Sequence, residues 1–211
     1  MARDEQCSRA VHDATFEDMD PEIFLGERLR GMSRREYDEL VELGWFEDEP
    51  IELLRGMLVE MTPQGNDHSD VGAYIAQLLA SRLPFDRYDV RAHSPYAATD
   101  DSEPEPDVQV SRKPKPRGSH PTSALLVVEV SRSSLRKDRK LKLPIYADNG
   151  VPEYWIVDLV KRVVEIYTEP GGGTYAHLEH VDITGTLRPR FDRSDVSIAI
   201  AMTELPWEIV S

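Results

Sequence analysis

The chain has 211 residues, 40% of them apolar, enough for one buried core and within the size range of one domain. Its single cysteine, Cys7, excludes an intrachain disulfide and a thiolate metal cluster and fits a reducing, cytoplasmic setting. A formal net charge of −14 and a pI near 4.8 argue against indiscriminate binding to nucleic acid, because an acidic surface repels a phosphate backbone.

The opening "MARDEQCSRAVHDATFEDMD" has no apolar h-region, and no apolar run approaches the roughly 18 residues that span a bilayer. Neither secretion nor membrane insertion is expected. Residues 1–31 read as a polar, acid-rich arm, and 32–211 as a single domain.

Ser33 followed by Glu36 is a capping-box pattern that predicts a helix over "REYDELVELGW", with Tyr37, Leu40, Val41 and Gly44 on one side. "IELLRGMLVEM" predicts a hairpin turning at Arg55-Gly56. After the Pro63–Gly65 breaker, Asn66 or Asp67 is expected to cap a helix whose Val71, Ile75, Leu78 and Leu79 form an apolar stripe. "YDVRAHS" and "PDVQV" read as strands, and "ALLVVEV" as a central strand covered on both faces.

Ser133 or Ser134 opens a polar helix running from about Leu135 to Asp148 and stopped by Asn149-Gly150. Pro144 predicts a kink or irregular turn within it. "EYWIVD" and "RVVEIYT" form a second hairpin, "GGG" turns the chain, and "TYAHLEHV" and "VSIAIA" supply late strands. The elements predict an α/β fold, a mixed central β-sheet flanked by helices, without internal repeats.

Charge is unevenly spread. Between Ser111 and Lys142 ten basic residues face two acids, a local balance of +8. The basic residues are Arg112, Lys113, Lys115, Arg117, Arg132, Arg136, Lys137, Arg139, Lys140 and Lys142. Such a run reads either as a solvated loop and helix face or as a surface for phosphates.

Glu129 stands inside the apolar run "ALLVVEV", where an unpaired carboxylate costs several kcal/mol or more. If "PDVQV" and "ALLVVEV" pair antiparallel, Asp107 opposite Glu129 gives position sums of 236, whose midpoint is Gly118 in the Pro- and Gly-rich loop. That register places both carboxylates at one end of the sheet on one face. A divalent cation shared by them offsets the cost, and oxygen ligands suit Mg²⁺ or Mn²⁺ better than zinc. In the alternative, Glu129 pairs with a neighbouring basic residue and Asp107 only starts a strand after Pro106.

From about Ser33 to Ile200 the sequence resembles the Uma family of restriction-endonuclease-like proteins, a branch of the PD-(D/E)XK nuclease superfamily. The resemblance rests on "IELLRGMLVEMTP", His68, "EPDVQV", "LLVVEVSRSS", "DRKLKLPIYADNGVPEYWIVD" and "RVVEIY" in this order. It implies a restriction-endonuclease-like PD-(D/E)XK core with added β-hairpins. The superfamily pattern would place lysine two residues after Glu129, where this chain has Ser131. The resemblance to members whose lysine has moved to the next helix points to Lys142, four residues before Tyr146.

The same resemblance implies that Asp107 and Glu129 hold the metal with the backbone carbonyl of Val130. Lys142 then orients the attacking water or stabilises charge on the phosphate, and Glu52 is either a further acid of the site or an exposed strand residue. His68, Asp138 and Tyr146 are supporting candidates; each reads equally as a structural residue. Arg112, Lys113, Lys115, Arg117, Arg132, Arg136 and Lys137 are the expected contacts to a DNA backbone. The functional expectation is a metal-dependent endonuclease hydrolysing DNA, and the resemblance to PD-(D/E)XK enzymes that cut both strands, commonly as dimers, implies a homodimer as one form. A competing expectation is a catalytically weak or inactive nuclease-fold binding or regulatory module.

Overall fold

The computed structural model describes residues 26–113, 119–190 and 197–207. Ser33 opens helix α1 (Arg34–Glu42): its hydroxyl accepts from the Glu36 amide, and the Glu36 carboxylate takes the Ser33 amide. Gly44, at φ +79°, ends the segment sooner than the apolar pattern implied. Of the four residues expected on the inner side only Tyr37 is buried, and Val41 is exposed.

Strands β1 (Ile51–Leu54) and β2 (Met57–Glu60) form the expected hairpin. Arg55 and Gly56 both have positive φ, +52° and +76°, as a two-residue turn of this hand requires. Helix α2 (Asn66–Arg82) buries Val71, Gly72, Ile75 and Leu79. Its N-cap is Gly65 rather than Asn66 or Asp67. Asp67 lies in the first turn, where its charge complements the helix dipole.

The main sheet has six strands, hydrogen-bonded in chain order: β3 (Tyr88–Ala92), β4 (Val108–Arg112), β5 (Leu126–Ser131), β6 (Glu153–Asp158), β7 (Val163–Gly171) and β8 (Thr174–Val181). All neighbours run antiparallel except β5 and β6, so the sheet is mixed. Every residue of β5 is buried. Val128 and Val130 pack in one core with Val71, Ile75 and Leu79, while Val127 packs in a second with Ile145, Tyr146 and Tyr154. β4 and β5 pair as Val108↔Val128, Gln109↔Val127 and Val110↔Leu126, the register expected from position sums of 236.

A parallel pair needs a crossover, and the chain supplies it in three pieces. These are α3 (Leu135–Lys137), a π-helical turn (Asp138–Lys142) and α4 (Leu143–Asp148). The irregularity anticipated at Pro144 falls just before it. Pro144 sits in the first turn of α4, where a missing N–H costs little, and its ring would crowd the Lys140 carbonyl of a regular helix. The preceding turn is wider, closed by the Leu143 amide donating to the Asp138 carbonyl. Gly150, at φ +73°, stops the helix.

The late strand expected from "VSIAIA" is short: among the described residues β10 (Ile200–Ala201) pairs only with β9 (Thr186–Leu187). These elements all belong to the unit Gly31–Ser211, and residues 26–30 ahead of it are exposed, without helix or strand. No helix among the described residues is long and apolar enough to cross a membrane.

Candidate active site

The crossover helix, β1 and the end of β5 meet around one ammonium. Lys142 Nζ lies 3.0 Å from Glu129 Oε1 and 3.0 Å from Glu52 Oε2. All three residues are at most 4% exposed. Lys142 is the last residue of the wide turn, and Tyr146, one turn on, donates its hydroxyl to the same Glu129 oxygen at 2.7 Å. No described residue donates to Glu129 Oε2. Glu52 also accepts from Lys137 Nζ at 3.0 Å and from the Glu105 amide at 3.3 Å.

Asp107 forms a second node. It precedes the β4 ladder, so strand alternation no longer fixes its side chain. Its Oδ2 accepts from the Val130 amide at 2.6 Å and lies 2.8 Å from His68 Nε2 on α2. Its Oδ1 accepts from Gln64 Nε2 at 3.0 Å. Asp138, 1% exposed, takes the Ser134 hydroxyl at 2.7 Å.

Asp107, Glu129, Glu52, Asp138, Lys137 and Lys142 line one cavity of about 310 Å³ together with His68, Gln64 and Val130. The structure therefore brings the four principal candidates and their supporting residues together. Tyr146 reaches the site from beneath, through Glu129.

Burial pushes the Glu129 carboxyl well up, and Asp107, Asp138 and Glu52 add to this while Lys142 opposes it. Burial also raises Asp138. Glu52 goes the other way: burial would raise it, but the Lys142 and Lys137 ammoniums outweigh that. Asp107 is likewise lowered, because hydrogen bonding and charge from His68 and the Val130 amide overcome its burial. Burial disfavours the Lys142 ammonium, yet Glu129, Glu52, Asp138 and Asp107 together raise its pKa and keep it charged.

The basic residues divide. Arg136, Lys137 and Lys140 line a shallower groove beside the cavity, sharing with it Thr62, Ser133, Ser134 and Lys137. Arg132 lines the cavity and pairs with Asp67. Arg112 and Lys113 are not brought to the site, since the length of β4, about 16 Å at some 3.3 Å per residue, separates Asp107 from Arg112. Lys113 Nζ instead donates to the Phe85 carbonyl at 2.7 Å. Lys115 and Arg117 lie outside the described residues.

Sequence reasoning did not place Gln64, Ser134 or Glu105 in the site; Ser134 was named only as a helix start. The Ser134–Asp138 contact has an i,i+4 spacing that was available to find it. Gln64 and Glu105 carry no local pattern, because tertiary folding alone brings them to Asp107 and Glu52.

Among the described residues, no group of three His, Cys, Asp or Glu side chains is arranged to hold a metal ion. The donors are nonetheless oxygen atoms of a type suited to a hard divalent cation.

The family model described as "Uma2: Putative restriction endonuclease" matches residues 35–200. No curated protein matches the chain. A solved structure, described as a "putative nuclease belonging to DUF820" from Anabaena variabilis ATCC 29413, is similar at a TM-score of 0.58 and 15% identity, covering 76% of this chain and 91% of that one. At that identity the likeness shows the fold, and the fold is the mixed sheet with flanking helices described above. The chain belongs to the Uma2 family, within the PD-(D/E)XK-like nuclease superfamily.

Proposed function

We propose that this chain is a nuclease-fold DNA-binding module whose phosphodiester hydrolysis is weak or absent. The observation that carries this reading is the position of Lys142. Its ammonium stands 3.0 Å from both Glu52 and Glu129, so the counter-ion that buried Glu129 requires is supplied from within the chain. Two features support it: Asp107 already receives donors on both oxygens, and no three-side-chain metal group occurs among the described residues. The groove of Arg136, Lys137 and Lys140 has the charge to hold a phosphate backbone on an otherwise acidic molecule.

Charge balance favours a second reading, an Mg²⁺- or Mn²⁺-dependent endonuclease with a migrated lysine. Glu52, Asp107, Glu129 and Asp138 outnumber the ammoniums of Lys137 and Lys142 around the cavity, a surplus that fits a divalent cation. Asp107 and Glu129, with the Val130 carbonyl, would hold it. When bound, the metal would supply an activated water and offset charge on the phosphate. Lys142, fixed by two carboxylates, would present its ammonium to that phosphate, and cutting both strands would call for a homodimer.

Incubating supercoiled plasmid in low salt with Mg²⁺, Mn²⁺ or EDTA, alongside DNA binding, tests the two. Metal-independent binding with little nicking is expected. Rapid metal-dependent cleavage lost in Asp107→Ala and Glu129→Gln would overturn the first reading in favour of the second.

A further inference from the structure

Glu52 is held by two ammoniums that differ in kind. Lys142 is 4% exposed in its side chain and shared between two carboxylates. Lys137 is 23% exposed in its side chain and, among the described residues, paired with Glu52 alone, at 3.0 Å. Among the described residues Lys137 is also the one basic side chain that lines both the cavity and the groove carrying Arg136 and Lys140. It sits in the final position of the short helix α3, immediately before the wide turn.

We propose that Lys137 is an exchangeable ammonium, which leaves Glu52 Oε1 for a DNA phosphate arriving along the groove. This rests on the DNA-binding reading and specifies how the site would respond to its ligand. Glu52 does not lose its charge compensation in the exchange, because Lys142 and the Glu105 amide remain on Oε2. Lys142 cannot make the same move without leaving Glu129 buried beside an unbalanced set of acids, whereas the long, half-open Lys137 chain can turn outward. Glu52 thus competes with phosphate for one cation, and DNA binding frees Glu52 Oε1 towards the cavity.

A double-mutant cycle tests this, read by fluorescence anisotropy of a labelled DNA duplex with wild type, Lys137→Ala, Glu52→Gln and the double variant. Lys137→Arg serves as the charge-preserving control, and far-UV circular dichroism checks folding. Lys137→Ala is expected to weaken binding and lower the salt slope by about 1, while Lys137→Arg retains most of the affinity. Glu52→Gln is expected to tighten binding by at least about 5-fold when Lys137 is present and to do nothing in the Lys137→Ala background. An equal gain in both backgrounds would mean that Glu52 acts only as a general negative charge, overturning the exchange while leaving DNA binding intact. No binding by any of the proteins would overturn the DNA-binding reading and the exchange with it.

Discussion

Lys142 and Glu129 form a buried ion pair, Nζ to Oε1 at 3.0 Å, inside a site that holds more carboxylates than ammoniums. The sequence left two offsets open for the buried glutamate, a shared metal or a basic partner; in this structure the partner is a lysine thirteen residues on. Removing it leaves two buried carboxylates without their common cation. Lys142→Met is expected to destabilise the fold by about 3–5 kcal/mol, measured by urea unfolding. The companion Glu129→Gln, which removes the surplus charge instead, should cost much less.

Tyr146 shares Glu129 Oε1 with Lys142, its hydroxyl donating at 2.7 Å. Tyr146→Phe keeps the ring in its buried cluster and removes only that donor. The expected loss is about 1.5–3 kcal/mol in unfolding free energy, the range for a hydrogen bond to a charged group. An unchanged urea midpoint would show that the hydroxyl contributes nothing to holding Glu129.

Glu103 lies outside the site, 4% exposed, with His120 Nε2 3.7 Å from its Oε1. Burial, reinforced by the Asp38 carboxylate and opposed by Arg34, pushes it from 4.5 up to about 7. The folded chain then holds a proton that the unfolded chain has released. This stabilisation is fully present below 4.5 and is lost as pH rises through about 7. Glu129 contributes with the same sign, so the Glu103 share is isolated by difference. Urea midpoints of Glu103→Gln should fall less than those of wild type between pH 5 and pH 8.

The turn that aims β1 at the site is sterically closed. Gly56 has φ +76°, and a Cβ there would lie 2.8 Å from the Gly31 Cα. Gly56→Ala is expected to cost at least about 1 kcal/mol from the left-handed conformation alone, with the backbone contact adding to it. Thermal melts should show the loss, and Arg55→Gly, at φ +52°, should be tolerated far better.

Much of this fold was legible because local chemistry dictated it. Ser33 and Glu36 specify a helix start, Arg55-Gly56 a hairpin, and the expected position sums of 236 match the β4–β5 register that the pairs from Val108↔Val128 to Val110↔Leu126 adopt. That same register implied that Arg112, at the other end of β4, lies away from Asp107, a consequence the charge pattern obscured. Asp107 was less legible, because it precedes the ladder and takes its orientation from the Val130 amide and His68. Lys137 was least so. A lysine on a polar helix start reads as solvent-facing, and only the return of the β1–β2 hairpin brings Glu52 within 3.0 Å of it.

The most direct test of Lys142 as the internal counter-ion is titration of Mn²⁺ by electron paramagnetic resonance into wild type and Lys142→Met, under conditions where both are folded. If the ammonium fills the role a cation would take, Lys142→Met binds Mn²⁺ at least about 10-fold more tightly than wild type, a difference of ~1.4 kcal/mol. Mn²⁺ binding that is as tight in wild type as in the variant, or weaker in the variant, would contradict the account and make the lysine an ally of the metal rather than its substitute.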